Sequence, residues 1–235
     1  MSKPIVAAQM YTCRDFCKNP REIAESLKKL ADIGYTAVQS SGIGKEEPIA
    51  PAEMKRLCDD LGLAVCCTHI SFDAMRDDIQ KVIADHQAMG CSYAGIGGAP
   101  KDARVDAASW SAFAKEASEV GAKLKEAGIT FIYHNHSQEF AKMDDGRRIM
   151  DILFEDSDPE TFQFEPDLYW VAHGGGSPVA WLKKFAGPLK TCIRLICWSQ
   201  QVLVLPAWIK RVILTLMVCI RRLIWRYTSP KKLGE

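Results

Sequence analysis

The feature that most constrains this chain is a recurrence. Short apolar, β-rich runs return about every 30 residues, the size of one strand–helix–strand unit. The runs are Pro4–Met10, Thr36–Ser40, Ala64–Ile70, Ser92–Ile96, Thr130–His134 and Thr161–Phe164. Between them, Pro20–Ile33, Pro51–Leu61, Ala74–Met89, Ala107–Ala127 and Gly146–Phe154 carry apolar residues at helical spacing. Gly34, Gly62, Gly90 and Gly128 each stand where a helix should end before the next strand, a position that favours a left-handed backbone. The strand runs are continuously apolar instead of alternating, which predicts strands buried on both faces: a parallel sheet covered by helices.

A doubly wound sheet and a (β/α)8 barrel both satisfy that pattern. MYTCRDF follows the first strand where a dinucleotide fold would carry GxGxxG, which argues against the doubly wound sheet. Polar residues gather just after the strands: Gln9, Gln39, His69, the group from His134 to Glu139, and Asp167. In a barrel all of these converge on the C-terminal face, where this fold keeps its active sites. The expectation is therefore a (β/α)8 TIM barrel over residues 1–190.

The chain's 235 residues suffice for one barrel-sized domain, and a net charge of +1 gives no general affinity for nucleic acid or an anionic membrane. The start, MSKPIVAAQMYT, has no long apolar segment of a secretion signal. Nine cysteines are scattered without a CxxC pair and read as reduced thiols, so a cytoplasmic protein is expected.

The densest chemistry is FIYHNHSQEF, residues 131–140. In an extended strand His134 and His136 share one face, while Tyr133 and Asn135 point the other way. Two imidazoles beside the Glu139 carboxylate are costly to desolvate without purpose. The next strand ends in FEPDLYW, with Glu165 and Asp167 on one face; Asp167 could equally cap a following turn. His86 reads as a solvent-facing residue of its helix, and His173 as a loop residue. GIGG, Gly95–Gly98, reads either as a phosphate cradle or as a tight turn of the barrel.

YHNHSQEF, followed some 30 residues later by FEPDLYWVAHGGGSPVAWLKKFAG, resembles the sugar phosphate isomerase/epimerase family with its xylose isomerase-like TIM barrel. QMYTCRD after the first strand and CCTHIS at the third add to the likeness, which runs to about residue 190. The resemblance implies one divalent metal (Mn, Mg, Co or Zn) held by Glu, Asp, His and Glu from four successive strands. It makes Glu139 the first ligand and Asp167 the second, with His69 and His134 or His136 on substrate hydroxyls. The substrate would be a small sugar or polyol, and the reaction a proton transfer beside a carbonyl, with Glu139 one of the two acid–base carboxylates. A DNA-repair barrel of the endonuclease type shares the fold but needs a histidine-rich zinc cluster, which five histidines and a near-neutral charge disfavour. Nucleic acid is not an expected partner; self-association into a homo-oligomer is left open.

Beyond Asp167 the family pattern stops. The remaining chain has one histidine, His173, and one acidic residue, Glu235, so the ligands of strands seven and eight are missing. Residues 191–235 are basic and apolar, and three readings compete. A tail lying on a membrane is one, although Val212–Ile220 is too short to span a bilayer. A diverged use of the barrel is the second. The third is a shift of reading frame near Thr191. Codons allowed for CIRLICW, read one frame over, spell His-Thr-Ala-Asp-Met-Leu, restoring a His-x-x-Asp where strand seven should end. The expected barrel is thus incomplete or irregular after strand seven, and the expected enzyme is impaired. The alternative is a non-catalytic barrel that binds a sugar or a partner.

Overall fold

A computed structural model describes residues 7–186 of the chain. Strands seven and eight and the tail of residues 191–235 lie outside the described residues. Six strands alternate with helices: β1 (Ala7–Gln9), β2 (Ala37–Ser41), β3 (Ala64–His69), β4 (Tyr93–Ile96), β5 (Thr130–His134) and β6 (Phe162–Glu165). The helices are α1 (Pro20–Ile33), α2 (Pro51–Asp60), α3 (Phe72–Asp77), α4 (Ile79–Met89), α5 (Ala107–Glu126), α6 (Ile149–Asp156), α7 (Leu168–His173) and α8 (Pro178–Ala186). Every strand pairs in parallel with its neighbour in sequence, giving the order β1-β2-β3-β4-β5-β6. Among the described residues no helix is long and apolar enough to cross a membrane.

The sheet is curled. In a flat sheet β2 and β6, four places apart, would be separated by about 19 Å at the usual strand spacing. Instead Gln39 Nε2 on β2 lies 3.1 Å from Glu165 Oε1 on β6. Two side chains cannot bridge the flat distance, so the strands must wrap around a shared interior. This is a TIM-barrel-like fold, described through its sixth strand.

Alternation along the strands sorts the side chains into two layers. Phe131 and Tyr133 on β5 and Phe162 and Phe164 on β6 are buried under the helices. There they meet Phe72, Trp110 and Phe113 from α3 and α5, and Ile152, Leu153 and Phe185 from α6 and α8. Burying each such aromatic is worth about 1.5–3 kcal/mol, so this outer layer holds the helices to the sheet. The residues next in line, His134 and Glu165, take the opposite face and line the interior.

Local signals explain the helix ends. Asn19 accepts from the Glu22 N–H at 3.0 Å, and Pro20 follows at the first helical position of α1. Gly34, Gly62, Gly90 and Gly128 all adopt positive φ, as their positions predict. Two expectations need correction. The helix expected over Ala74–Met89 is broken at Asp78, whose non-helical backbone (φ −149°, ψ 77°) lets its carboxylate accept from the Lys81 N–H and cap α4. His86 is buried, not solvent-facing: only 1% of it is exposed. Its Nδ1 donates to the Val82 carbonyl and its Nε2 accepts from the Thr68 hydroxyl, both at 2.7 Å. Burial holds this imidazole below its usual pKa, consistent with the neutral form that these bonds require.

Gly121 in the middle of α5 marks a close approach. A Cβ there would stand 2.1 Å from the Thr161 carbonyl oxygen at the entry to β6. Alanine at an open helical site gains about 1 kcal/mol over glycine. Here the clash with backbone reverses the sign, so Gly121→Ala is expected to destabilise the chain by about 2 kcal/mol, read from the urea midpoint. An unchanged or raised midpoint would show that α5 does not pack this closely on β6.

Candidate active site at the mouth of the barrel

The interior ends of four strands supply the polar residues. Gln39 comes from β2, Cys67 and His69 from β3 (two apart and so on one face), His134 from β5, and Glu165 from β6. Asp167 follows two residues after Glu165, as the N-cap of α7.

Glu165 is 1% exposed and sits at the centre. Its Oε2 lies 2.7 Å from His69 Nε2 and 4.0 Å from His134 Nδ1. The Gln39 amide nitrogen is 3.1 Å from each of its oxygens. The Gln39 amide nitrogen lies 2.9 Å from the same His69 Nε2, so this ring atom stands between a donor and an acceptor. One atom each of Cys67, His69 and Glu165 fall within 4.8 Å of one another, a grouping able to hold a metal ion.

Asp167 is wholly buried, and its two oxygens have different settings. Oδ1 accepts from the Tyr169 N–H at 2.9 Å and the Trp170 N–H at 3.2 Å, capping α7. Oδ2 has no hydrogen-bond partner and stands 3.9 Å from His134 Nε2. Asn135 clamps the Asp167 backbone, accepting from its N–H at 2.9 Å and donating to its carbonyl at 3.3 Å. Burial raises the Asp167 pKa to about 7; the Trp170 and Tyr169 N–H groups oppose that rise, and the neighbouring Glu165 adds to it. His134 is shifted well below its usual range, by burial first and then by the imidazoles of His69 and His136. It is therefore a neutral imidazole with a lone pair to offer.

His136 stacks edgewise on His134 with ring centroids 4.9 Å apart and lies 5.3 Å from the Trp170 ring. Glu139 has a setting of its own. Its Oε1 accepts from the Tyr133 hydroxyl at 2.8 Å and its Oε2 from the His136 N–H at 2.8 Å. Tyr133 packs among Phe113 and Phe162 of the outer layer. The structure thus groups His69, His134, Glu165 and Asp167, while Glu139 ties the turn Gln138–Phe140 back to β5. His173, expected in a loop, is the last residue of α7 and exposed, with its ring 5.4 Å from that of Trp170.

Sequence reasoning assigned no site role to Glu165 or Asn135. The shared face of Glu165 and Asp167 was the available signal for the first. Nothing local could reveal that Asn135 reaches a backbone 32 residues away. Gly95 of the GIGG run, on β4, makes room for the site: a Cβ there would lie 2.8 Å from the His69 ring and 2.6 Å from the Thr68 carbonyl oxygen.

A parallel barrel with imidazoles and carboxylates at the C-terminal ends of its strands places donors of the kind that hold a divalent ion where this fold keeps its active sites. The donors fit such an ion, because Asp167 Oδ2 is a buried, unpartnered carboxylate oxygen facing a neutral imidazole. Residues 27–190 match the model of the xylose isomerase-like TIM barrels, and the chain belongs to that family. A sugar phosphate isomerase/epimerase from Parabacteroides distasonis superposes with a TM-score of 0.68 at 23% identity, over 81% of this chain and 74% of that one. An L-ribulose 3-epimerase gives 0.62 at 14% identity over 80% and 68%. The probable 3-DHS dehydratase AsbF from Bacillus anthracis gives 0.58 at 9% identity over 78% and 70%. No curated protein matches the chain. Likeness at these identities establishes the fold, and the reaction must be argued from the site.

The raised Asp167 pKa has a consequence for stability. Between the ordinary value of 3.8 and about 7, the folded chain keeps a proton on Asp167 that the unfolded chain has released. Protonation therefore favours the folded state, and the stability tied to this group falls as pH rises through that window. Asp167→Asn cannot ionise, yet its Oδ1 can still cap α7. Urea midpoints measured below and above the window should differ less in Asp167→Asn than in the parent chain. An equal or steeper loss in the variant would place the titrating group elsewhere.

Proposed function

We propose that this barrel is built for metal-dependent isomerisation or epimerisation of a small sugar or polyol by proton transfer next to a carbonyl. The observation that carries the reading is Asp167 Oδ2, buried, unpartnered and 3.9 Å from His134 Nε2. Asp167 and His134 are the residues assigned to the ion. When bound, a divalent metal supplies Lewis-acid polarisation of a carbonyl and its neighbouring hydroxyl.

The chain's own residues do the rest. His69, held through Nε2 by Glu165 and Gln39, is left with Nδ1 to meet a substrate hydroxyl or exchange a proton with it. Its carboxylate partner stabilises the imidazolium that forms. His136, held at its N–H by Glu139, offers a second polar contact at the mouth. Trp170 beside it presents an aromatic face suited to the C–H side of a sugar ring.

Activity of this chain as written is proposed to be low. The family arrangement stated above draws two more ligands from strands seven and eight, and after Asp167 the sequence offers only His173 and Glu235 of the needed types. Losing a positioned acid or base typically costs about 10²–10⁴-fold in rate. That same shortage supports the second reading, a barrel that binds a sugar without turning it over.

The test is deuterium exchange of a ketose α-proton with Mn²⁺ added. Three proteins are compared: the chain as written, a chain with the reading frame restored at Thr191, and Asp167→Asn of the restored chain. The expected result is little exchange in the first, ready exchange in the second and loss in the third. Sugar binding without exchange in all three would favour the binding barrel, and exchange indifferent to Asp167→Asn would sink the ligand assignment.

A further inference from the structure

The turn that leaves β1 holds a second reactive group, unrelated to the metal-binding residues. Met10–Phe16 forms a 3-10 turn with a non-helical kink at Cys13 (φ −109°, ψ 18°). Cys13 and Cys17 bring their sulfurs to 3.7 Å, sharing one hydrogen bond. Cys13 is half-buried and Cys17 buried. From this geometry we infer that Cys13 and Cys17 are a site of covalent oxidation, joined as a disulfide by a hydroperoxide.

The sulfurs need to move from 3.7 Å to the about 2.05 Å of a disulfide, a shift within reach of side-chain rotation in a short kinked turn. The chemistry of the pair favours the reaction. Cys17 is lowered to about 7, chiefly by the hydrogen bond from Cys13, with Ser26 assisting against burial. The pair thus releases one proton near neutrality from Cys17, while the hydrogen bond to Cys17 and burial push the Cys13 thiol up and keep the remaining proton on it. Cys13 is the sulfur that solvent reaches. Cys17, the thiolate, takes up the Cys13 proton as Cys13 attacks one oxygen of the peroxide; the O–O bond breaks, and an alcohol or water leaves with that proton, giving a sulfenic acid. Cys17, now the thiolate, attacks that sulfur and displaces hydroxide, which is protonated to water. In sum, two thiols and one hydroperoxide give one disulfide, one alcohol (or water) and one water. The thiols are oxidised and the peroxide reduced.

The surroundings tie this turn to the barrel mouth. The Cys17 carbonyl accepts from the Gly44 N–H at 2.7 Å, and Gly42, just past β2, has no side chain where the Tyr11 ring lies. A bond between Cys13 and Cys17 therefore braces the loop beside the first two strand exits.

The test treats the native 235-residue chain with hydrogen peroxide, quenches it by alkylation and maps it with trypsin without reductant. The link would join the peptide ending at Arg14 to the tetrapeptide Asp15–Lys18, at the summed mass less two hydrogens. Titratable thiols should fall from nine to seven, a loss of two, and recover with dithiothreitol. Cys17→Ser should abolish the link and leave Cys13 as a sulfenic acid. The inference is overturned if Cys13 in the unchanged chain ends as an unlinked sulfenic or sulfinic acid. It is equally overturned if both thiols stay reduced, or if another pair such as Cys66 and Cys67 takes up the oxidising equivalents.

Discussion

Glu165 is a carboxylate almost completely withdrawn from water in the interior of a parallel sheet, and a charge in that setting must be met by donors or be destabilising. The donors come from far along the chain: Gln39, 126 residues earlier, and His69, 96 residues earlier. That requirement couples β2, β3 and β6 at one end of the barrel and orients the imidazole proposed for substrate. It also brings Glu165 Oε2 to 4.0 Å from His134 Nδ1, a buried ring nitrogen with no hydrogen-bond partner. Removing Glu165 would thus disturb the fold and the site through the same atoms.

This interior network is affordable because the opposite faces of the same strands are aromatic and closely packed. Tyr133 belongs to both layers. Its ring packs with Phe113 and Phe162, while its hydroxyl donates to Glu139 and so fixes the turn that follows His136. The apolar layer therefore positions a polar residue directly. Glycine sets the tolerances: Gly121 lets α5 approach β6, and Gly95 leaves the space that the His69 ring needs beside β4.

Asp167 reconciles two readings that compete in sequence. A helix N-cap and a metal ligand call for the same residue type, because both need an oxygen acceptor. The carboxylate divides the tasks, with Oδ1 on the first turn of α7 and Oδ2 turned toward His134. Capping restricts rotation of the side chain, which preorganises the remaining oxygen. Asn135 adds to this by holding the Asp167 backbone on both sides.

By itself the sequence determined the parallel alternation, the helix ends at Gly34, Gly62, Gly90 and Gly128, and the face on which His134 lies, because periodicity and glycine backbone freedom act over a few residues. It also determined the family, through motifs whose spacing reflects one strand–helix unit. Tertiary structure alone decided which polar residues become partners. His86 turned inward because Val82, four residues before it, shares the buried face of α4 and Thr68 waits there with a hydroxyl. Glu139 found Tyr133, Glu165 found Gln39 and His69, and Asn135 found Asp167. Such pairings depend on how far the sheet curls and how the side chains divide between its two faces. These are properties of the packed whole, and no window of sequence contains them.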